Sequence, residues 1–341
     1  MSKFRLYVRK ILGSNLLSKL NETKTWYGNT KLLIFNIYVD ALLYYRHSMV
    51  FKVNNFNKIE SQIILHYHGL EKGFLHEEFR YRFGKDRITS LVKLLKIKVV
   101  SDNFKKSQIS AAYLAMCKYY EKHQSNGVDI SDYFILEDYF FFKKFSLLSL
   151  NLVKSHIRLD FFSMSDANFS DFSKSRSSVR NFTGELISIE KIYKVIEIAK
   201  CAPSVCNRQP NKVYYLNSKS KIDEVLDIQQ GLKGYSDKIN QLLILATDRN
   251  YFYSVGERNQ LYIDGGVFLM NLLYALHYYQ IGACPAHWGH NSDRDKRLQK
   301  VINSSDSEKV ICIIAIGVPE ESFNTTLSLR RENYEILKII G

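Results

Sequence analysis

Proline is nearly missing from this chain, with four residues in 341. That excludes long proline-rich linkers. Cysteine is sparse too: Cys117, Cys201, Cys206, Cys284 and Cys312 are odd in number and mostly far apart. They do not read as a disulfide framework, and a reducing, cytoplasmic setting fits them better. Cys201 and Cys206 do not form a CxxC pair. The histidines nearby lack zinc-ligand spacing, so no metal is expected. No run of 18 apolar residues occurs; the longest candidate, KLLIFNIYVDALLYY, is broken by Asn36 and Asp40. A transmembrane span is therefore not expected. The opening MSKFRLYVRKILGSNLLSKL is basic and weakly amphipathic but lacks the apolar centre and cleavage site of a signal peptide. It reads as a surface helix packed on the domain, with peripheral contact to an anionic membrane as the alternative. No phosphate loop, dinucleotide fingerprint, helix-turn-helix, zinc finger or RNA-binding signature is present, and no repeat of fixed period.

What is abundant is aromatic and basic. There are 23 tyrosines and 21 phenylalanines, and the formal net charge is +14. Charge of that size suits nucleic acid, an anionic surface or anionic substrates. The lysines, however, are scattered rather than gathered in one tract, as on ordinary solvated faces, and nucleic acid is not an expected partner.

At 341 residues, two domains are expected. The first 155 or so residues carry helical patterns, among them IESQIILHYHGL and RITSLVKLLKIKVV, where Asp86 is placed to cap and Ile88, Leu91, Val92 and Leu95 make one stripe. Gly73 and Gly84 are placed as helix stops or turns. Residues 133–155 repeat the helical character. Ser, Asp and Asn then dominate 160–176, the expected boundary or crossing arm. The division follows as a mainly helical domain over 1–165 and a second domain over 166–341.

The second half changes grammar. Ser188 is placed to cap a helix with Ile189, Ile192, Val195, Ile196 and Ala199 on its apolar face, stopped by Pro203. Strands are expected at Lys212–Leu216, Leu242–Ala246 and Val310–Val318, with helices at Ile222–Ile228 and 259–280, and a turn region from Cys284 and Pro285. The fold class is α+β, with helices around a mainly antiparallel or mixed sheet.

Two polar clusters flank the helix after Ser188. Arg176, Ser177, Ser178 and Arg180 are competent donors to a phosphate or a polyol, or else a solvated linker. Ser204, Asn207 and Gln209, between Pro203 and Pro210, can read the edge of a heterocycle, or simply cap a loop. His287 and His290 lack partners for a metal, and Cys284 reads best as a small buried hydrophobe.

Taken in order, SRSSVRNF, CAPSVCNRQP, Asp264-Gly265-Gly266 in a long helix, QIGACPAHW, IAIGVPEE and basic residues near Arg330 resemble the nitroreductase family of flavoproteins. The resemblance covers about half the chain, from Ser175 onward. It implies non-covalent FMN at the interface of an intertwined homodimer, with a reduced nicotinamide and a small-molecule acceptor as substrates. Carried over by position, Arg176, Ser177, Ser178 and Arg180 would meet phosphate, ribityl chain and pyrimidine edge. Ser204, Asn207 and Gln209 would lie near the ring, with Asn207 nearest. Pro285, Ala286 and His287 would approach from another side, and Arg330 or Arg331 would close on the phosphate. No residue is assigned as a nucleophile or obligatory acid. Asn211 stands where the family often has an aromatic, which bears on substrate rather than cofactor. In the first half, HGLEKGF followed by RYRFG resembles the extra region of nitroreductase-like proteins encoded with surface-polysaccharide genes. There Glu71, Lys72, Arg80 and Arg82 are read as an internal ion-pair network, with ligand contact as the alternative. An FMN-dependent oxidoreductase is the leading expectation; a flavin-binding, non-redox component of polysaccharide production is the runner-up.

Overall fold

A computed structural model describes residues 3–76, 78–232 and 234–341, with side chains from residue 18 onward. The chain opens with helix α1 (Lys3–His47). The packing expected for its first turns lies outside the described side chains. From Trp26 to Tyr45 it exposes many large apolar residues, and Arg258 grips Asp40 with two hydrogen bonds of 2.8 and 2.9 Å.

Five helices follow: α2 (Phe56–Gly73), α3 (Lys85–Leu95), α4 (Lys98–Ser101), α5 (Ser107–Gln124) and α6 (Leu136–Phe145). Asn55 caps α2 by accepting from the Lys58 amide at 3.1 Å. Gly84, left-handed at φ 68°, turns the chain into α3, so Asp86 sits in the first turn instead of capping it. The expected stripe of Ile88, Leu91 and Leu95 is buried against Ile63, Leu70, Tyr113 and Phe142. Helix α5 is buried along most of its length, and Ala111, Ala112 and Ala115 allow close helix approach there.

The helical reading of 133–155 holds only to Phe145. Strand β1 (Val153–Ile157) follows and pairs antiparallel with β6 (Ser322–Thr326), nearly the full length of the second half away. Short helices α7 (Arg158–Phe161) and α8 (Phe169–Ser175) then lead to the first polar cluster.

The remaining elements are α9 (Ile189–Ala199), β2 (Asn211–Leu216), α10 (Lys219–Gln229), β3 (Gln241–Asp248), α11 (Gln260–Tyr278), β4 (Gly282–His287), α12 (Ser292–Ile302) and β5 (Glu308–Gly317), with α13 (Asn333–Ile336) after β6. Ser188 caps α9 as expected, accepting from the Lys191 amide at 3.3 Å. The sheet order is β2-β3-β5-β4, antiparallel throughout. Strand β3 is buried on both faces. Leu242, Ile244 and Ala246 pack with α10 and α12, while Leu243 and Leu245 pack with α9 and α11. The fold is thus α+β, a helical region followed by a sheet between two helical layers.

The turn expected from Cys284 is instead strand β4. Pro285 has no amide proton for a ladder, but β4 is the last strand in the order, where that loss is tolerated. Along its free side runs the segment 176–182: the Val179 amide donates to Ala283 O at 3.0 Å, and Phe182 bridges to Pro319. Gly265 is needed for packing. A Cβ there would lie 2.6 Å from Ile311 and 2.9 Å from Thr247, so α11 could not lie as close to the sheet.

Candidate functional site

Val179 enters the core, which turns its polar neighbours toward a cavity of about 520 Å³ over β4. Arg176, Ser177, Ser178 and Arg180 line it, as do Pro285, Ala286 and His287. The chain's last segment closes another side by alternation. Thr326, Ser328 and Arg330 face the cavity, while Leu327 and Leu329 pack into the helical cluster. Arg331 turns away and forks onto Glu60 at 2.8 and 3.1 Å. Of the two adjacent arginines, Arg330 is therefore the one at the cavity.

The helical region reaches the same cavity. The end of α2 brings His68 and Lys72 to its wall. Glu71 behaves as a structural group, as read from sequence: it is buried, meets His68 Nδ1 at 2.9 Å and accepts from the Ser328 amide at 3.3 Å. Arg82 likewise pairs with Asp132. Lys72 departs from that reading, since it lines the cavity and no ion pair of its ammonium is found among the described residues. The sequence reading gives Lys72 ligand contact only as the alternative to an ion pair and weighs His290 only for a metal; it does not single out His68, Gln229, Thr326 and Ser328 as site residues. The alternation TLSLR was the available signal for the last two.

Among the described residues, no carboxylate lines the cavity. Arg208 has found Glu257, Arg258 has Asp40 and Arg331 has Glu60. Among the described residues, by contrast, Arg176, Arg180 and Arg330 have no carboxylate partner, and one terminal nitrogen of Arg180, whose residue is only 8% exposed, has no hydrogen-bond partner at all. Burial, with the Arg330 charge adding, pulls the Arg176 guanidinium below its usual pKa; burial and Arg180 do the same to Lys72. Arg180 is buried, Arg176 and Lys72 are half-buried and Arg330 is exposed. A buried cation with others nearby and no anion is costly, and such an arrangement suits an anionic ligand. Cys284 lies among Arg180, Lys72 and Arg176, yet its complete burial pushes the thiol pKa up, as befits a packing residue.

Ser204, Asn207 and Gln209 do not join this cavity within one chain. Ser204 and Gln209, with Asn211, edge a separate groove of about 550 Å³ lined by apolar residues such as Ile192, Ile196, Val213 and Phe268. Their loop is held in an unusual shape, with Cys206, Asn207 and Gln209 at φ of 50°, 55° and 49°. Buried Asp264 anchors it by accepting from the Val205 amide at 3.3 and 3.4 Å, and Ser204 Oγ accepts from the Gln209 amide at 2.9 Å. Three non-glycine residues in the left-handed region make a strained turn of the sort found at ligand-facing loops.

His287 and His290 share the cavity wall, where His290 meets Arg294 at 3.2 Å. Among the described residues no group of three or more His, Cys, Asp or Glu side chains is placed to hold a metal ion. No described helix is long and apolar enough to cross a membrane.

Residues 173–318 match the model of the nitroreductase family. That match contains the first polar cluster, the 204–209 loop and β4; it leaves out Lys72 and the segment from Thr326 to Arg330. No curated protein matches the chain. Among solved structures, a candidate NADH oxidase from Clostridium acetobutylicum is 25% identical at a TM-score of 0.43, covering 49% of this chain and 97% of that one. An FMN-dependent nitroreductase from Clostridium difficile R20291 is 16% identical at a TM-score of 0.42, covering 50% and 98%. A nitroreductase family protein from Clostridium novyi NT is 19% identical at 0.39, covering 45% and 86%.

Proposed function

We propose that this protein is an FMN-dependent oxidoreductase that draws electrons from a reduced nicotinamide and passes them to a small-molecule acceptor. The observation that carries the reading is the cavity in which, among the described residues, no carboxylate lines the wall, Arg176, Arg180 and Arg330 have no carboxylate partner and an Arg180 nitrogen is buried unpaired. The nitroreductase family is FMN-dependent, and the donor set fits that cofactor. Arg176 and Arg330, whose charges act on one another, would hold the phosphate. Ser177 and Ser178 would donate to phosphate and ribityl oxygens. Arg180 would face the pyrimidine edge and stabilise negative charge there. Backbone groups of Pro285, Ala286 and His287 would border the ring. When bound, the flavin supplies hydride chemistry; the protein binds, orients and polarises.

The same reading assigns the loop with Ser204, Asn207 and Gln209 to the cavity of a second copy, so that a homodimer completes two sites. Support comes from the strained backbone of that loop and from exposed apolar residues on α11, among them Tyr262, Ile263 and Val267. The link to surface-polysaccharide production rests only on the likeness of HGLEKGF and RYRFG. Purified protein should be yellow and take up FMN to saturation, and NADH or NADPH should bleach it without oxygen. Colourless protein that FMN does not saturate would overturn the proposal; flavin that binds but stays oxidised would identify a non-redox role.

A further inference from the structure

Lys72 belongs to α2, about a hundred residues before the family match begins. Its backbone is firmly placed. The Lys72 carbonyl accepts from the Leu75 amide at 3.2 Å and from the Tyr235 hydroxyl at 3.4 Å, and neighbouring Glu71 is held by His68 and Ser328. Lys72 contributes to the cavity wall with Arg176, Arg180 and Arg330. These cations sort into two pairs. Arg176 and Arg330 act on one another by charge, whereas Lys72 lies on the Arg180 side: its carbonyl accepts from the Tyr235 hydroxyl, and Tyr235 and Arg180 line one adjoining pocket. A phosphate dianion accounts for one pair. The second pair has no anion to meet in an oxidised, neutral flavin ring, and gains one when two electrons and one proton arrive and leave the pyrimidine end negatively charged.

We infer that Lys72, supplied by the helical region, is a second cation beside Arg180 at the pyrimidine end of the flavin, and that it raises the reduction potential of the bound cofactor. The inference rests on the flavin reading above. It makes the helical region a determinant of redox poise. Lys72 would act by charge on the ring, with no proton transfer required of it.

The test compares wild type, Lys72→Met and Lys72→Arg as FMN-loaded proteins. FMN affinity is read by fluorescence titration, and the midpoint potential by equilibration with reference dyes. Lys72→Met is expected to lower the midpoint by about 30 mV, which for a two-electron couple is a tenfold loss of preference for the reduced form. Lys72→Arg should restore most of it, and oxidised FMN should bind both variants nearly as wild type does. Removing one of several crowded cations should leave apo-protein melting unchanged or raised; Lys72→Gln serves in the same assay if the methionine variant does not fold. An unchanged midpoint in Lys72→Met overturns the inference. A higher KM for the nicotinamide at unchanged midpoint also overturns it, because the ammonium then meets substrate rather than flavin. If wild type itself takes up no FMN, the proposed function fails instead, so the two failures are told apart.

Discussion

The loop Arg176–Arg180 and the loop Ser204–Gln209 are separated by little more than one helix, α9, yet they handle their polar groups in opposite ways. Among the described residues, the first leaves its guanidiniums without carboxylate partners, with an Arg180 nitrogen buried and unpaired. The second satisfies itself: Asp264 accepts from Val205, Ser204 from Gln209, and Gln209 donates to Asn207 Oδ1 at 3.2 Å. One stores unfavourable electrostatics that an anion relieves; the other stores backbone strain at three left-handed residues. A ligand gains affinity from the first and shape from the second. Variants at the two loops should therefore separate binding from stability.

The largest effect is expected at Arg180. Arg180→Met removes the buried, unpartnered guanidinium, so FMN titration should give roughly hundredfold weaker binding, about 3 kcal/mol. The apo-protein should melt no lower than wild type, because a charge without a partner has been taken out of the interior. A parallel fall in apo stability would show that Arg180 is structural and would erase the contrast.

The support beneath the first loop titrates. Ser175 Oγ lies 2.8 Å from Phe172 O and 2.7 Å from His277 Nε2. The single hydroxyl proton goes to the carbonyl, so Nε2–H of His277 donates to the serine. Burial, with Arg176 adding, pushes the His277 pKa down from 6.5 to about 4. The folded state thus binds fewer protons than the unfolded state between those values. Stability from this group is complete above pH 6.5 and falls as pH drops toward 4, by roughly 2–3 kcal/mol overall. Urea midpoints across pH 4–8 should show that slope, and His277→Gln should flatten it.

The second loop should answer in stability. Asp264→Ala removes the acceptor for the Val205 amide and the partner of Gln260, which donates at 2.8 Å. A loss of about 1–3 kcal/mol in chemical unfolding is expected, with faster proteolysis within 204–209. An unchanged unfolding curve would mean the loop's shape does not depend on Asp264.

Much of this arrangement was legible because it is local. The Ser188 cap, the stripe Ile192–Val195–Ala199 and the strands after Pro210 depend on neighbours a few residues away, and motif order pointed to Arg176–Arg180. What stayed hidden depends on distant partners. Pairing of β1 with β6 joins residues about 165 positions apart, so no periodicity near Val153 marked a strand. Pro285 reads as a turn until β4 is known to be a sheet edge. Lys72 looks like any helix-end lysine until the alternation at Thr326–Arg330 and the fold of α2 bring it to the same cavity.

The smallest contrast uses two adjacent arginines. Arg330 is at the cavity and Arg331 is clamped on Glu60, which is nearly buried. Arg330→Ala should weaken FMN about tenfold, close to 1.4 kcal/mol, with little change in melting. Arg331→Ala should leave the affinity of folded protein near wild type and lower the melting temperature, since Glu60 would lose its fork while staying mostly out of water. The assignment of phosphate contact to the alternating face of the final segment would be wrong if the two variants exchanged these effects. A loss of affinity in both would show that the Glu60 clamp holds Arg330 in place, joining the helical region to cofactor binding through the backbone, apart from any effect of Lys72 on the redox poise.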